Sequence, residues 1–190
     1  YRQAQGDHEP VLPLGQVGRL GFGSARPVPW QVVGYQERRD LPPPGSDDEQ
    51  TFWREYLLYN RDEGFVFLVD TDEGWSWMRP LTGAPTVTGT VARWRGERYV
   101  QRWPERPWYE AETVFVLGEF YWPVRRGERL QVTDYAGQGP ARGKLLSWER
   151  GPDEVVWSGG ETITADRLAA GFALSAEQAR ALRRDAQPLA

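Results

Sequence analysis

The chain has 190 residues, a formal charge of −4 and a pI near 5.2, with 39% hydrophobic and 26% charged residues. That is enough chain for a substantial core, and the acidic balance argues against general nucleic-acid binding, which draws on excess Lys and Arg. Cysteine is absent, histidine occurs once and no run of 18 apolar residues is present, which excludes disulfides, thiolate metal sites and a helical membrane span.

Ten Trp, eight Tyr and seven Phe accompany 21 Gly and 15 Pro. Aromatic residues favour strands, and Gly and Pro punctuate turns, so the composition predicts an all-β protein of many short strands. Residues 1–13 read as a polar lead-in that begins at Tyr1 without a methionine, as expected of a processed or excised segment. Strands are predicted over 14–22 and 30–38. "DLPPPGSDDEQ", 40–50, reads as a mobile loop. Strands follow near 52–60, 64–70 and 74–79, separated by the hairpin turns "NRDEG" and "TDEG". "LTGAPTVTG", 81–89, marks the boundary between a first β-rich half, 14–81, and a second, 82–172. The second half offers strands near 90–95 and 97–103 around an Arg95-Gly96 turn, a long one over 110–122, and others near 128–135, 144–149, 154–158 and 160–163. "SGGE" reads as the turn between the last two. A short helix is expected over 164–172 with Thr164 as cap. Residues 173–190 form a C-terminal tail whose helix is opened by a Ser175–Gln178 capping box. The expected architecture is two strand-rich halves forming small barrels or a curled sandwich, with one or two short C-terminal helices.

Most chemistries lack their residues. Catalysis by a Ser–His–Asp or Cys–His arrangement needs a histidine in the fold, and His8 lies in the lead-in. A metal site would have to be built from carboxylates alone, so none is expected, and no cofactor is expected either: "GRLGFG" has the wrong glycine order for a dinucleotide and is followed by prolines. Arg93, Arg95, Arg98, Arg102 and Arg106 interleave with Trp94, Tyr99 and Trp103, the chemistry of single-strand nucleic-acid binding; in an acidic chain a solvated hairpin face is the favoured reading. Carboxylates remain. Alternation places Glu55 on one strand face with Trp53, Leu57 and Tyr59, and Glu119 with Phe115, Leu117 and Tyr121. Two acids in an aromatic cleft are the layout of a glycosidase. The competing reading makes each a structural acid held by backbone NH groups, a Trp NH or an arginine such as Arg54 or Arg19.

Three blocks resemble a known family. "FWREYLLYNRDEGFVFLV" with "GWSWMRPL" forms the first, "AETVFVLGEFYWPVRRGE" the second, and "DYAGQGPARGKLLSWER" with "EVVWSGGETIT" the third. Together they resemble the bacterial domain-of-unknown-function family 4178 over about residues 14–172, with "GQGPARGK" as an insertion. The motif positions are Trp53, Glu55, Tyr56, Gly118, Glu119, Trp122, Ser147, Glu149, Ser158 and Gly159. The resemblance implies a cytoplasmic accessory role, in a system such as membrane stress, and no established catalytic residues.

The residues therefore predict a non-enzymatic binding or assembly module for a protein or peptide, with Trp53, Glu55, Tyr56, Trp103, Trp108, Glu119 and Trp122 as candidate binding positions. "RWPERPWYE", 102–110, would form its rim. The alternatives are an enzyme acting on a sugar or other small polar substrate through Glu55 and Glu119, and an Arg/Trp hairpin for single-stranded nucleic acid. Whether a small molecule binds is not legible in the residues.

Overall fold

The computed structural model describes residues 9–46 and 50–185; His8, the acidic run at 47–49 and the last five residues lie outside them. The strands are β1 (Val17–Leu20), β2 (Val28–Leu41), β3 (Phe52–Asn60), β4 (Gly64–Thr71), β5 (Gly74–Pro80), β6 (Thr86–Thr88), β7 (Val91–Trp94), β8 (Glu97–Gln101), β9 (Tyr109–Gly118), β10 (Arg129–Gly137), β11 (Lys144–Arg150) and β12 (Val155–Ile163). Helices α1 (Ala165–Gly171) and α2 (Ala176–Asp185) end the chain, and neither is long and apolar enough to cross a membrane.

Pairing closes a ring. From β2 the order runs through β3, β4 and β5 to β12, β11 and β10, and β9 then bonds both β10 and β2. Every pair is antiparallel, which makes an eight-stranded barrel. Strand β1 extends the wall beside β2, and β8, β7 and β6 extend it beside β10. The two β-rich halves therefore contribute four strands each to one barrel and do not close separately.

Local chemistry makes the turns. Asn60 Oδ1 accepts the NH groups of Asp62 and Glu63, both at 2.8 Å, which folds "NRDEG" back. Thr71 Oγ1 does the same for Glu73 NH in "TDEG". Arg95 and Gly96 both take positive φ, as a tight I′ hairpin turn requires. Two expected elements differ. "SGGE" is strand interior: Gly160 lies in the middle of β12, where a Cβ would collide with the Trp77 carbonyl, so the glycine serves close strand approach, not a turn. The strand expected to reach 122 ends at Gly118, where φ is +78° and a Cβ would strike the Val33 carbonyl.

Alternation sorts the wall into two faces, and the apolar one is the outer. Trp30, Val32, Tyr35, Tyr56, Leu58, Leu68 and Trp75 pack outward against Leu168, Phe172 and Leu182 of the helices and against Leu12. The lead-in is thus anchored at its end: Leu12 is fully buried and the Val11 NH donates to the Tyr56 hydroxyl at 3.0 Å. Thr164 Oγ1 caps α1, and Ser175 and Gln178 bond each other reciprocally at the start of α2. A second core lies outside β10–β12, where Ala92 and Tyr99 of the β7–β8 flap cover Tyr135, Leu146 and Trp157.

Candidate functional site

The inner faces enclose a lumen of about 970 Å³. Its centre is Arg38, which is 4% exposed. Arg38 Nη1 donates to Glu55 Oε2 and to Glu149 Oε1, each at 3.0 Å, so one guanidinium bridges β3 and β11 across the barrel. Glu55 is fully committed: Gln36 Nε2 donates to its Oε1 at 3.0 Å and Trp53 Nε1 to its Oε2 at 2.7 Å. The register explains this, since Gln36 pairs with Glu55 and Arg38 with Trp53 on adjacent strands. Burial works against the Arg38 charge, but Glu149 and Glu55 outweigh it and hold the guanidinium above its ordinary value.

Glu149 is bonded less completely. Only Oε1 meets Arg38, and 30% of its side chain remains accessible in the lumen wall. Burial raises its carboxyl above the ordinary range, against the pull of Arg38 and with the push of Glu55. Asp134 lies on the neighbouring strand, opposite Ser147. It accepts the Tyr109 hydroxyl at 2.6 Å. Burial raises Asp134 too, with the bonds from Tyr109 and Ser147 opposing the rise; burial and then Asp134 drive the Tyr109 phenol well above its usual value.

The two ends of the barrel differ. At one, the 102–106 segment crosses the opening. Arg106 forks onto Asp40 at 2.8 and 2.9 Å, and Arg102 binds Glu73 of the β4–β5 turn. Trp103 stands edge-on to Tyr109, which stands edge-on to Trp53. At the other end, Tyr121 packs on Phe65 and Trp122 on Phe67. Nine carboxylate residues line the lumen and its ends, against three arginines, and each of the three arginines is already in an ion pair.

The expected site residues divide accordingly. Trp53 and Glu55 meet in the lumen, and Trp103 and Trp122 stand at its opposite ends. Tyr56 faces outward in the first core. Trp108 is 49% exposed. Glu119 is exposed in the loop after β9 and does not line the lumen, because the turn at Gly118 takes it off the strand. Glu55 is therefore partnered through Arg38 by Glu149, not by Glu119, Arg54 or Arg19. In the flap, Arg93, Arg95 and Arg98 are exposed but Tyr99 is buried, and Arg102 and Arg106 are spent in ion pairs. Within that stretch Arg95 lies over Trp94 and Arg102 over Trp103. Among the described residues no group of three or more His, Cys, Asp or Glu is arranged to hold a metal ion. Sequence reasoning missed Gln36, Arg38, Tyr109 and Asp134. A signal existed: "QERRD", 36–40, is a wholly polar run inside a long strand, and its first three residues are buried.

Of the motif positions that carried the resemblance, Trp53, Glu55, Trp122, Ser147, Glu149 and Ser158 line the lumen. No curated protein matches the chain, and no solved structure does. The model of a family described as domain of unknown function (DUF4178) matches residues 20–165, which span the whole barrel from the end of β1 to the start of α1, and the chain belongs to that family.

Proposed function

We propose that the domain is a non-enzymatic binding module and that it binds a small molecule in the barrel lumen. The observation that carries this reading is the lumen itself. An eight-stranded barrel has an interior just wide enough either to fill with side chains or to hold one small ligand. Here the interior keeps about 970 Å³, the size of a drug-sized ligand site. Its walls mix aromatic surfaces with fixed polar groups, the composition of such sites. The carboxylate pair of a glycosidase is not supported by Glu55, whose oxygens are occupied by Gln36, Arg38 and Trp53, nor by the exposed Glu119.

Ser158 faces the lumen from β12, and Ser158→Trp would place an indole inside it while leaving Arg38, Glu55 and Glu149 themselves unchanged. A small-molecule panel screened by thermal shift should give compounds that raise the melting temperature of the native chain and not of Ser158→Trp. Stabilisation that survives the block, or no stabilising compound at all, would overturn the reading.

A second reading retains the protein or peptide partner. It is favoured by Trp108, half exposed beside the Arg102–Arg106 segment, because Trp and Arg are the residues that most often anchor interfaces. Trp108→Ala should then abolish capture of the partner from native cells and leave lumen ligands unaffected.

A further inference from the structure

We infer that the lumen's ligand is a small organic cation, an amine or guanidine carried on an apolar or aromatic body. This rests on the lumen reading above and adds the chemical class.

The argument starts from charge. The three arginines of the lumen and its ends are each in an ion pair: Arg38 with Glu55 and Glu149, Arg102 with Glu73, and Arg106 with Asp40. An anionic ligand would find no unpaired cation among the described residues that line the lumen. The acids are not all paired. Glu55 and Glu149 share one guanidinium, and Glu55 takes further bonds from Gln36 and Trp53 that Glu149 lacks. Asp134 takes its bonds from Tyr109 and Ser147, both uncharged. The inner cluster thus sets three carboxylates against one cation. Glu149 and Asp134 sit on adjacent strands of the same face, in the register that pairs Ser147 with Asp134 and Glu149 with Val132. One ligand ammonium could reach both. Burial raises the two carboxyl groups together, against the pull of Arg38.

The second line is independent of the acids. The approaches to the cluster are aromatic at both ends, with Trp53, Tyr109 and Trp103 on one side and Tyr121 and Trp122 on the other. Aromatic faces attract cations through their quadrupole. Arg102 and Arg38 already lie over Trp103 and Trp53, at 4.7 and 5.7 Å. A deep cleft with an excess of one sign of charge, here nine carboxylate residues against three arginines, also raises the local concentration of the opposite ion.

The test is a charge series on one scaffold: tryptamine, tryptophol and indole-3-acetate, titrated calorimetrically into the whole chain. Tryptamine should bind at least about tenfold more tightly than tryptophol, the ratio expected of one charge–carboxylate contact in a desolvated site, and indole-3-acetate should not bind. Asp134→Asn and Glu149→Gln should each lower the ratio of tryptamine to tryptophol affinity. The native chain alone suffices for the series, so misfolding of a variant does not spare the inference. If uncharged or anionic members bind as well as tryptamine, and Ser158→Trp abolishes their binding, the lumen reading stands and the cationic ligand falls. If tryptamine binds with equal affinity to Ser158→Trp, its site lies outside the lumen and the inference falls. If no member binds, the inference falls as well.

Discussion

The two faces of the barrel wall do different work. Along β3, Tyr56 and Leu58 point outward into an apolar core sealed by the helices and the lead-in, whereas Trp53 and Glu55 point inward to the lumen. The two buried apolar clusters lie outside the ring, under α1, α2 and the β6–β8 flap, and the interior mixes apolar and aromatic side chains with the Arg38 cluster. A strand face mixing Trp with Glu is therefore a cavity wall here, and the more uniformly apolar face is what holds the chain folded. Only the outer face is bound to be close-packed; the inner has room to vary.

The sharpest way to break that division is Arg38→Met. It leaves Glu55 and Glu149 buried without their shared cation, and removing one partner of a buried ion pair costs about 3–5 kcal/mol. Denaturant unfolding measures the loss. Replacing the acids as well, by Glu55→Gln and Glu149→Gln, should recover most of it, because neither glutamine leaves a buried charge without its partner. Nearly as large is Leu68→Ala on the outer face, where Leu68 is fully buried. The cavity left behind should cost about 2–5 kcal/mol, with no change in ligand preference. The smallest effect belongs to Asp134→Asn. Its carboxyl is raised by burial, so the folded state binds a proton more tightly than the unfolded one. Ionisation then opposes folding above the raised value, and native stability is regained as pH falls toward the ordinary carboxylate range. The variant should match or exceed the native chain near neutral pH and lose that advantage as pH falls, in paired urea midpoints. An advantage that grew on acidification would contradict the assignment.

Much of the local structure was legible. Asn60 with Gly64, Arg95 with Gly96, and Ser175 with Gln178 each carry their turn or cap within five residues, and each forms as read. What failed was non-local. Ring closure depends on β9 finding β2 across more than 70 residues and on the bulge at Val33 that bends β2 between its partners. Neither leaves a local pattern, so the residues show two strand-rich halves but not that the two complete one ring. Gly159-Gly160 carries the composition of a turn, but Gly160 has the backbone of β5 pressed against it and Gly159 the side chains of Leu81 and Leu146. The residues left Glu55 open between a working carboxylate and an acid held by hydrogen bonds; its contacts, a tryptophan NH among them, are of the second kind. The guanidinium that binds it comes from the neighbouring strand, and Glu149 from across the ring, so no spacing could announce either.

The stability of Ser158→Trp tests the central claim most directly. An open lumen should accept the indole with a change in unfolding free energy below about 1 kcal/mol, while ligand-induced stabilisation disappears. Filling a close-packed interior instead forces displaced side chains at about 1–3 kcal/mol or more. A loss of that size would show that the barrel interior is a packed core and that no ligand site lies within it.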